Sequence, residues 1–413
     1  MTNIDRKILF PASTTVVSPK WTTPFLDQLR EESDPLADEA LNAIIKDDEA
    51  AGIATLFRKM DVNDEMAPAK LFPVANDFFE RTKTLPSDVD YARIHRGEDV
   101  FIQHPFEGAV ALLTKSLPEG YQAPNLSIIL NISGDLRTHT YRRLLATLQM
   151  VVNVSSCRGF RHGGRAVITA QKLRILHAGI RRLTLKYRPG FRAQYGIPVN
   201  QEDMLGTVLG FSFLVIEGWR TMKVGLTRNQ EEDFLYLWLT FARIMGIHPA
   251  GQPESRAHVP LGLDEAEAFY RAFEQRHYVD AARNSDGVEL ARANLDMLRG
   301  KIPGMLRLFG FGILPRLCMK ELMGNRACAR LAIAPVRAHA FIKWAFLNIH
   351  RVGSLFAAKI RSPYGSVGMM IFQDLINEAY DGSVTFTVPT SLNQLKGMPD
   401  APGKTAGGSQ AHW

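Results

Sequence analysis

Residues 165–187 read RAVITAQKLRILHAGIRRLTLKY. The spacing of its apolar residues predicts one helix, which Arg188-Pro189-Gly190 stops. His177 stands mid-helix among Leu173, Leu176 and Ile180, a setting that points the ring toward the interior. Arg174 lies three residues before it and Arg181 four after, so the three side chains share a face. The same helix belongs to a longer basic segment. From Asp135 to Glu202 there is no other acid, while thirteen Arg and Lys fall between them. The whole chain is only +7, so the rest is net acidic, and an anion or an acidic part of the same chain must answer this segment. The acidic stretch from Pro24 to Phe57 is a candidate counter-surface, although a solvated face is the commoner use of such a stretch.

Working outward, Thr22-Thr23-Pro24 looks like a capped helix start. Helical patterns follow over 24–57, 91–117, 138–154 and 201–224, the last with Asn200 as cap and Glu202 and Asp203 in its first turn. The turn Leu117-Pro118-Glu119-Gly120 is expected to end the second of these. Further amphipathic helices are expected over 232–245, 264–278, 288–299, 306–323 and 332–359. The run LSIILNI at 126–132 is helical or extended on pattern alone. Strand alternation is nearly absent and no repeat emerges, so the class is all-α. An irregular arm (1–20), one helical domain (21–382) and a Gly/Pro/Ser/Thr-rich tail (383–413) make up the expected organisation.

The chain has 413 residues, 46% hydrophobic and 22% charged, which suits a large globular core. Three cysteines without framework spacing read as thiols of a reducing compartment. Neither a secretory signal pattern nor an uncharged apolar run long enough to span a bilayer appears, so a cytoplasmic protein without a membrane span is expected. The pI near 9.3 admits nucleic acid, but no nucleic-acid motif or basic–aromatic interleaving supports it.

Chemistry centres on His177. A neutral core histidine bonded to a backbone carbonyl is the plain alternative for a lone His. Two guanidiniums beside an imidazole, however, need an anion, because unpaired charge at a buried edge is costly. Haem supplies both partners, iron for the imidazole and propionates for the guanidinium forks. Zinc is less well served, since no H-x-x-x-H, H-E-x-x-H or paired Cys lies near His177. A serine-hydrolase elbow is absent, and Gly159, Gly163 and Gly164 miss both phosphate-loop patterns.

Several motifs in this region are similar to the latex-clearing protein (rubber oxygenase) family, whose wider relatives include the oxygenase of mycophenolic acid biosynthesis. They are Arg143-Leu144-Leu145-Ala146-Thr147, the glycine loop ending Gly164-Arg165, the run Lys172 to Arg181, and Ile197-Pro198-Val199-Asn200-Gln201-Glu202-Asp203-Met204-Leu205-Gly206-Thr207. The resemblance implies an all-α fold with a globin-like helical core and additional helices. It implies b-type haem with His177 as the proximal iron ligand, Arg143 and Thr147 beside the haem, and Thr207 in a distal pocket. Arg174 and Arg181 are assigned, on spacing as well as likeness, to the propionates or to the groups behind them.

Two departures bear on the substrate. Rubber-cleaving members carry a Lys directly before the Thr, where this chain has Ala146, and their distal Glu has no counterpart around Leu126-Ser127-Ile128. The expectation is therefore a haem-b-dependent oxygenase using O₂ on a hydrophobic, unsaturated small molecule other than rubber. Leu205, Val208 and Phe211 are expected to line its pocket. The alternative is a non-catalytic haem- or hydrophobe-binding helical protein.

Overall fold

The computed structural model describes residues 20–45, 72–132, 147–161, 164–247, 260, 262–302, 304–308 and 311–336. The arm, the tail and the expected 332–359 helix, apart from 332–336, lie outside them. Among the described residues all regular structure is helical, which makes the protein all-α.

The first acidic stretch is two helices, α1 (Thr23–Arg30) and α2 (Pro35–Ile44), rather than one. Pro35 explains the break: it cannot donate to a preceding turn, and Asp34 caps the new helix by accepting from the Ala37 N–H. Thr22 takes extended backbone before α1 but makes no side-chain cap bond. Next come α3 (Asn76–Thr82), α4 (Tyr91–Gln103) and α5 (Pro105–Ala111). A π turn over Leu112–Ser116 joins α5 to α6 (Leu117–Tyr121), so Pro118 continues the helical path instead of ending it. Residues Pro124–Ile132 form α7, which settles that run as helix. Residues 147–155 form α8.

The opening stretch is a single helix, α9 (Arg165–Tyr187), as its pattern predicts. Asn200 caps α10 (Gln201–Phe211) by accepting from the Asp203 N–H. Ser212 then leaves helical geometry, so α10 and α11 (Phe213–Thr221) are separate where one helix is expected. A capping box of Thr227 and Gln230 opens α12 (Arg228–Ile244). Further on come α13 (Leu263–His277), α14 (Ser285–Lys301) and α15 (Leu314–Arg330); short helices also form at Phe191–Tyr195 and Gly304–Leu308, the latter separate from α15 where one helix over 306–323 is expected.

The main core gathers Phe101 of α4, Phe213 and Trp219 of α11, Phe234 and Trp238 of α12, and Phe269 and Phe273 of α13. Removing each such side chain from water stabilises the fold by roughly 1.5–3 kcal/mol. Close approach of α4 and α12 depends on Gly97, whose missing Cβ would sit 2.5 Å from the Asp233 carbonyl oxygen. A second apolar cluster joins α2, Phe78 and Phe79 of α3, and Ile175, Leu176, Ala178 and Leu183 of α9. Leu173 packs against both clusters, so α9 stands between them.

Candidate functional site

The two arginines flanking His177 find their anions inside the chain. Arg174 closes its fork on Asp34, Nε to Oδ2 at 2.6 Å and Nη2 to Oδ1 at 2.8 Å, with both side chains buried. Its Nη1 donates to the Ile244 carbonyl. Gly246, with φ of 81°, lies directly against this guanidinium, and a Cβ there would come within 3.1 Å of it. Arg181 donates from Nε and Nη2 to Asp38 and from Nη1 to the Val199 carbonyl. Val199 is held at φ 55°, a strained conformation for a β-branched residue that aims its carbonyl at Arg181. Burial pulls the Asp34 carboxyl upward, but the charge and hydrogen bonds of Arg174, the Ala37 N–H and the charge of Arg181 outweigh it. The carboxyl therefore stays below its ordinary range.

This corrects two expectations. In its described part, 24–45, the acidic stretch is a counter-surface to α9 through Asp34 and Asp38, while Glu31, paired with Arg192, and Asp27, paired with Arg276, stay open to solvent. Nor are the Arg174 and Arg181 forks held open for propionates, because each is closed on a carboxylate. They flank His177 one turn to either side and fix the helix that carries it.

His177 differs from both neighbours. The residue as a whole is partly accessible, while its Nδ1 is buried without a hydrogen-bond partner. Burial, then the Arg181 charge, push its pKa down to about 4 against a smaller upward pull from Asp34. It is therefore neutral at pH 7, the form that ligates metal. Leu173 and Ile180 are also partly open at i−4 and i+3, so an open stripe runs along an otherwise largely buried length of α9.

Thr207 is exposed on α10, although Met204, Leu205, Gly206, Val208, Leu209 and Gly210 around it are buried. Its hydroxyl donates to the Asp203 carbonyl at 2.8 Å and keeps lone pairs free to accept. Of the expected pocket residues, Leu205 and Val208 belong to the packed core. Only Phe211, stacked on Trp238 with ring centroids 5.4 Å apart, is partly open beside Thr207. Thr147 lies partly buried at the start of α8, and Arg143 and Ala146 lie outside the described residues.

The carboxyl of Asp203 is not among the site residues expected from the sequence. It accepts from Asn125 of α7 and from Asn200, fully buried. Burial raises its pKa to about 7, with the Glu202 charge adding to the rise and His277, Asn125 and Arg30 opposing it. In sequence Asp203 looked only like an acid favouring a helix N-terminus. Asn125 was the available signal, as a buried amide at the start of an apolar helix.

These features define an all-helical protein with a neutral, partly accessible histidine on a helix held to either side of it by two ion pairs, Arg174–Asp34 buried and Arg181–Asp38 half-buried. Residues 106–352 match the family model described as "ER-bound oxygenase mpaB/B'/Rubber oxygenase, catalytic domain", and the chain belongs to that family. It is 23% identical over 244 residues to the rubber oxygenase of Streptomyces sp. (strain K30); the match spans 57% of this chain and only 56% of that protein. In fold it is similar to latex clearing protein LCP in its closed state. That likeness has a TM-score of 0.58 and 19% identity, over 78% of this chain and 90% of the other.

Proposed function

We propose that this chain is a haem-b-dependent oxygenase that uses O₂ on a hydrophobic, unsaturated small molecule, with His177 as the proximal iron ligand. The observation that carries the reading is the neutral His177, its Nδ1 unpartnered and the residue part-open on the Leu173–Ile180 stripe. A core histidine of the ordinary kind would have its buried nitrogen bonded. Family membership supports the oxygenase class.

When bound, haem supplies the redox chemistry by which O₂ is activated. The protein's own work is placement and access. Asp34 and Asp38 hold Arg174 and Arg181, which fix the rotation of α9 and so the direction of the imidazole. Arg143 and Thr147 are assigned beside the haem from the resemblance. Thr207, the exposed hydroxyl on a buried helix, is assigned to the distal side, where its lone pairs accept a hydrogen bond and polarise an otherwise apolar surface. Phe211 offers the neighbouring apolar contact. Ala146 in place of a lysine, and the lack of an acid at 126–128, argue against rubber as the substrate.

The test is an absorption spectrum of purified full-length protein, with a pyridine haemochrome assay for b-type haem. His177→Ala is expected to abolish the Soret band and the bound haem. Retention of both would overturn the ligand assignment. Oxygen uptake with a panel of hydrophobic alkenes then separates an oxygenase from a haem-binding protein without turnover.

A further inference from the structure

A second cluster of ligating side chains lies where α4 meets the turn after α8. His95 and Glu98 stand at i and i+3 on α4, where they share a face. Cys157 comes from the turn after α8, next to Arg158, whose backbone is left-handed with φ 69°. That conformation points the Arg158 N–H at the Glu98 carboxylate, which clamps the loop to α4. The result brings one ligand atom each from His95, Glu98 and Cys157 within 4.8 Å of one another. His95 Nδ1 is 3.0 Å from Glu98 Oε2.

The donor set is chemically specific. We infer that His95, Glu98 and Cys157 form a binding site for a zinc-class divalent transition-metal ion. An imidazole, a thiolate and a carboxylate together suit a borderline-soft ion, while magnesium and calcium take oxygen ligands alone. Zinc's bond lengths place tetrahedral ligand atoms roughly 3.3–3.8 Å apart, so the His95–Glu98 pair would open slightly from 3.0 Å while the longer separations, at most 4.8 Å, would close. Water takes the fourth position. The carboxylate also needs a cation: the Glu98 side chain is only 3% exposed, and its partners are one backbone N–H and an exposed histidine. The thiol is accessible where the other two are not, since Cys318 and Cys328 are buried and burial pushes them up to about 12 and about 11. A bound ion would pin α4 to the loop that leads through Gly164 into α9, independently of what His177 holds.

The experiment titrates Co²⁺ into the full-length chain stripped with a chelator, followed by difference absorption and elemental analysis. One equivalent of Co²⁺ is expected to bind with a thiolate-to-cobalt charge-transfer band, which one equivalent of Zn²⁺ removes. Cys157→Ser, at an exposed position, should erase that band with unchanged circular dichroism and thermal midpoint. Glu98→Gln, isosteric and able to keep the Arg158 N–H bond, should weaken Zn²⁺ binding by about tenfold or more. No Co²⁺ binding would leave His95 and Glu98 as an ion pair and overturn the site. So would binding without a sulfur band, or a band that survives Cys157→Ser.

Discussion

Two adjacent stripes of α9 make opposite use of the same helix. On one, Arg174 and Arg181 are buried, paired and fully occupied. On the other, Leu173, His177 and Ile180 are partly open, and the imidazole carries an unpartnered nitrogen. The difference separates stability from binding along one element. A closed fork on a buried carboxylate offers little to a ligand, whereas a neutral ring at a half-open edge contributes little to folding and is free to ligate.

That division can be broken at several points. Arg174→Ala leaves Asp34 as a buried charge without its partner and should cost about 3–5 kcal/mol, read from denaturant unfolding. Replacing both by apolar residues of similar volume should restore most of that loss. A variant that loses haem but not stability at Arg174 would dissolve the contrast. His177 tests the other stripe through pH. Its folded pKa of about 4 lies below its unfolded value, so the unfolded state binds the extra proton. Haem-free protein should keep the full contribution above pH ~6.5 and lose it as pH falls toward 4. Water at this partly accessible residue limits this loss to about 1–2 kcal/mol, and it should vanish in His177→Ala. Thr207→Val should change stability by less than about 0.5 kcal/mol, since the hydroxyl is exposed and bonded only to its own helix. If Thr207 faces the distal side, the same variant should still alter the spectrum of ligand-bound haem.

Much of this architecture was legible in the chain. Periodicity and the Arg188-Pro189-Gly190 stop located α9, and Asn200 with Glu202 and Asp203 marked the start of α10. Local signals of this kind act within one turn, so they survive into the fold. Breaks were harder to see. Ser212 interrupts a continuous apolar run with no Pro to announce it, and the π turn at Leu112–Ser116 adds a residue to a pattern that still reads as helix. Partner choice was hardest. Asp34 and Arg174 are 140 positions apart, and nothing local distinguishes an acid that will be buried against a distant guanidinium from one that faces water. The same limit hid Asp203, whose raised pKa comes first from burial among helices remote in sequence, with the Glu202 charge adding to it.

Gly246 carries a consequence for how this chain can vary. It caps the end of α12 with its bare face against the Arg174 guanidinium, and its carbonyl accepts from Gln201 at the start of α10. Gln201 also donates to the Ser33 carbonyl, one residue before Asp34. Four segments remote in sequence therefore meet at one point with no spare room. A loop graft or insertion ending there would transmit its misfit to the helix bearing His177, whereas the exposed helix ends elsewhere could be re-engineered freely. Position 246 is thus a boundary for any recombination of this scaffold: a crossover that exchanges the α12 terminus must bring its own α2 and α9 with it.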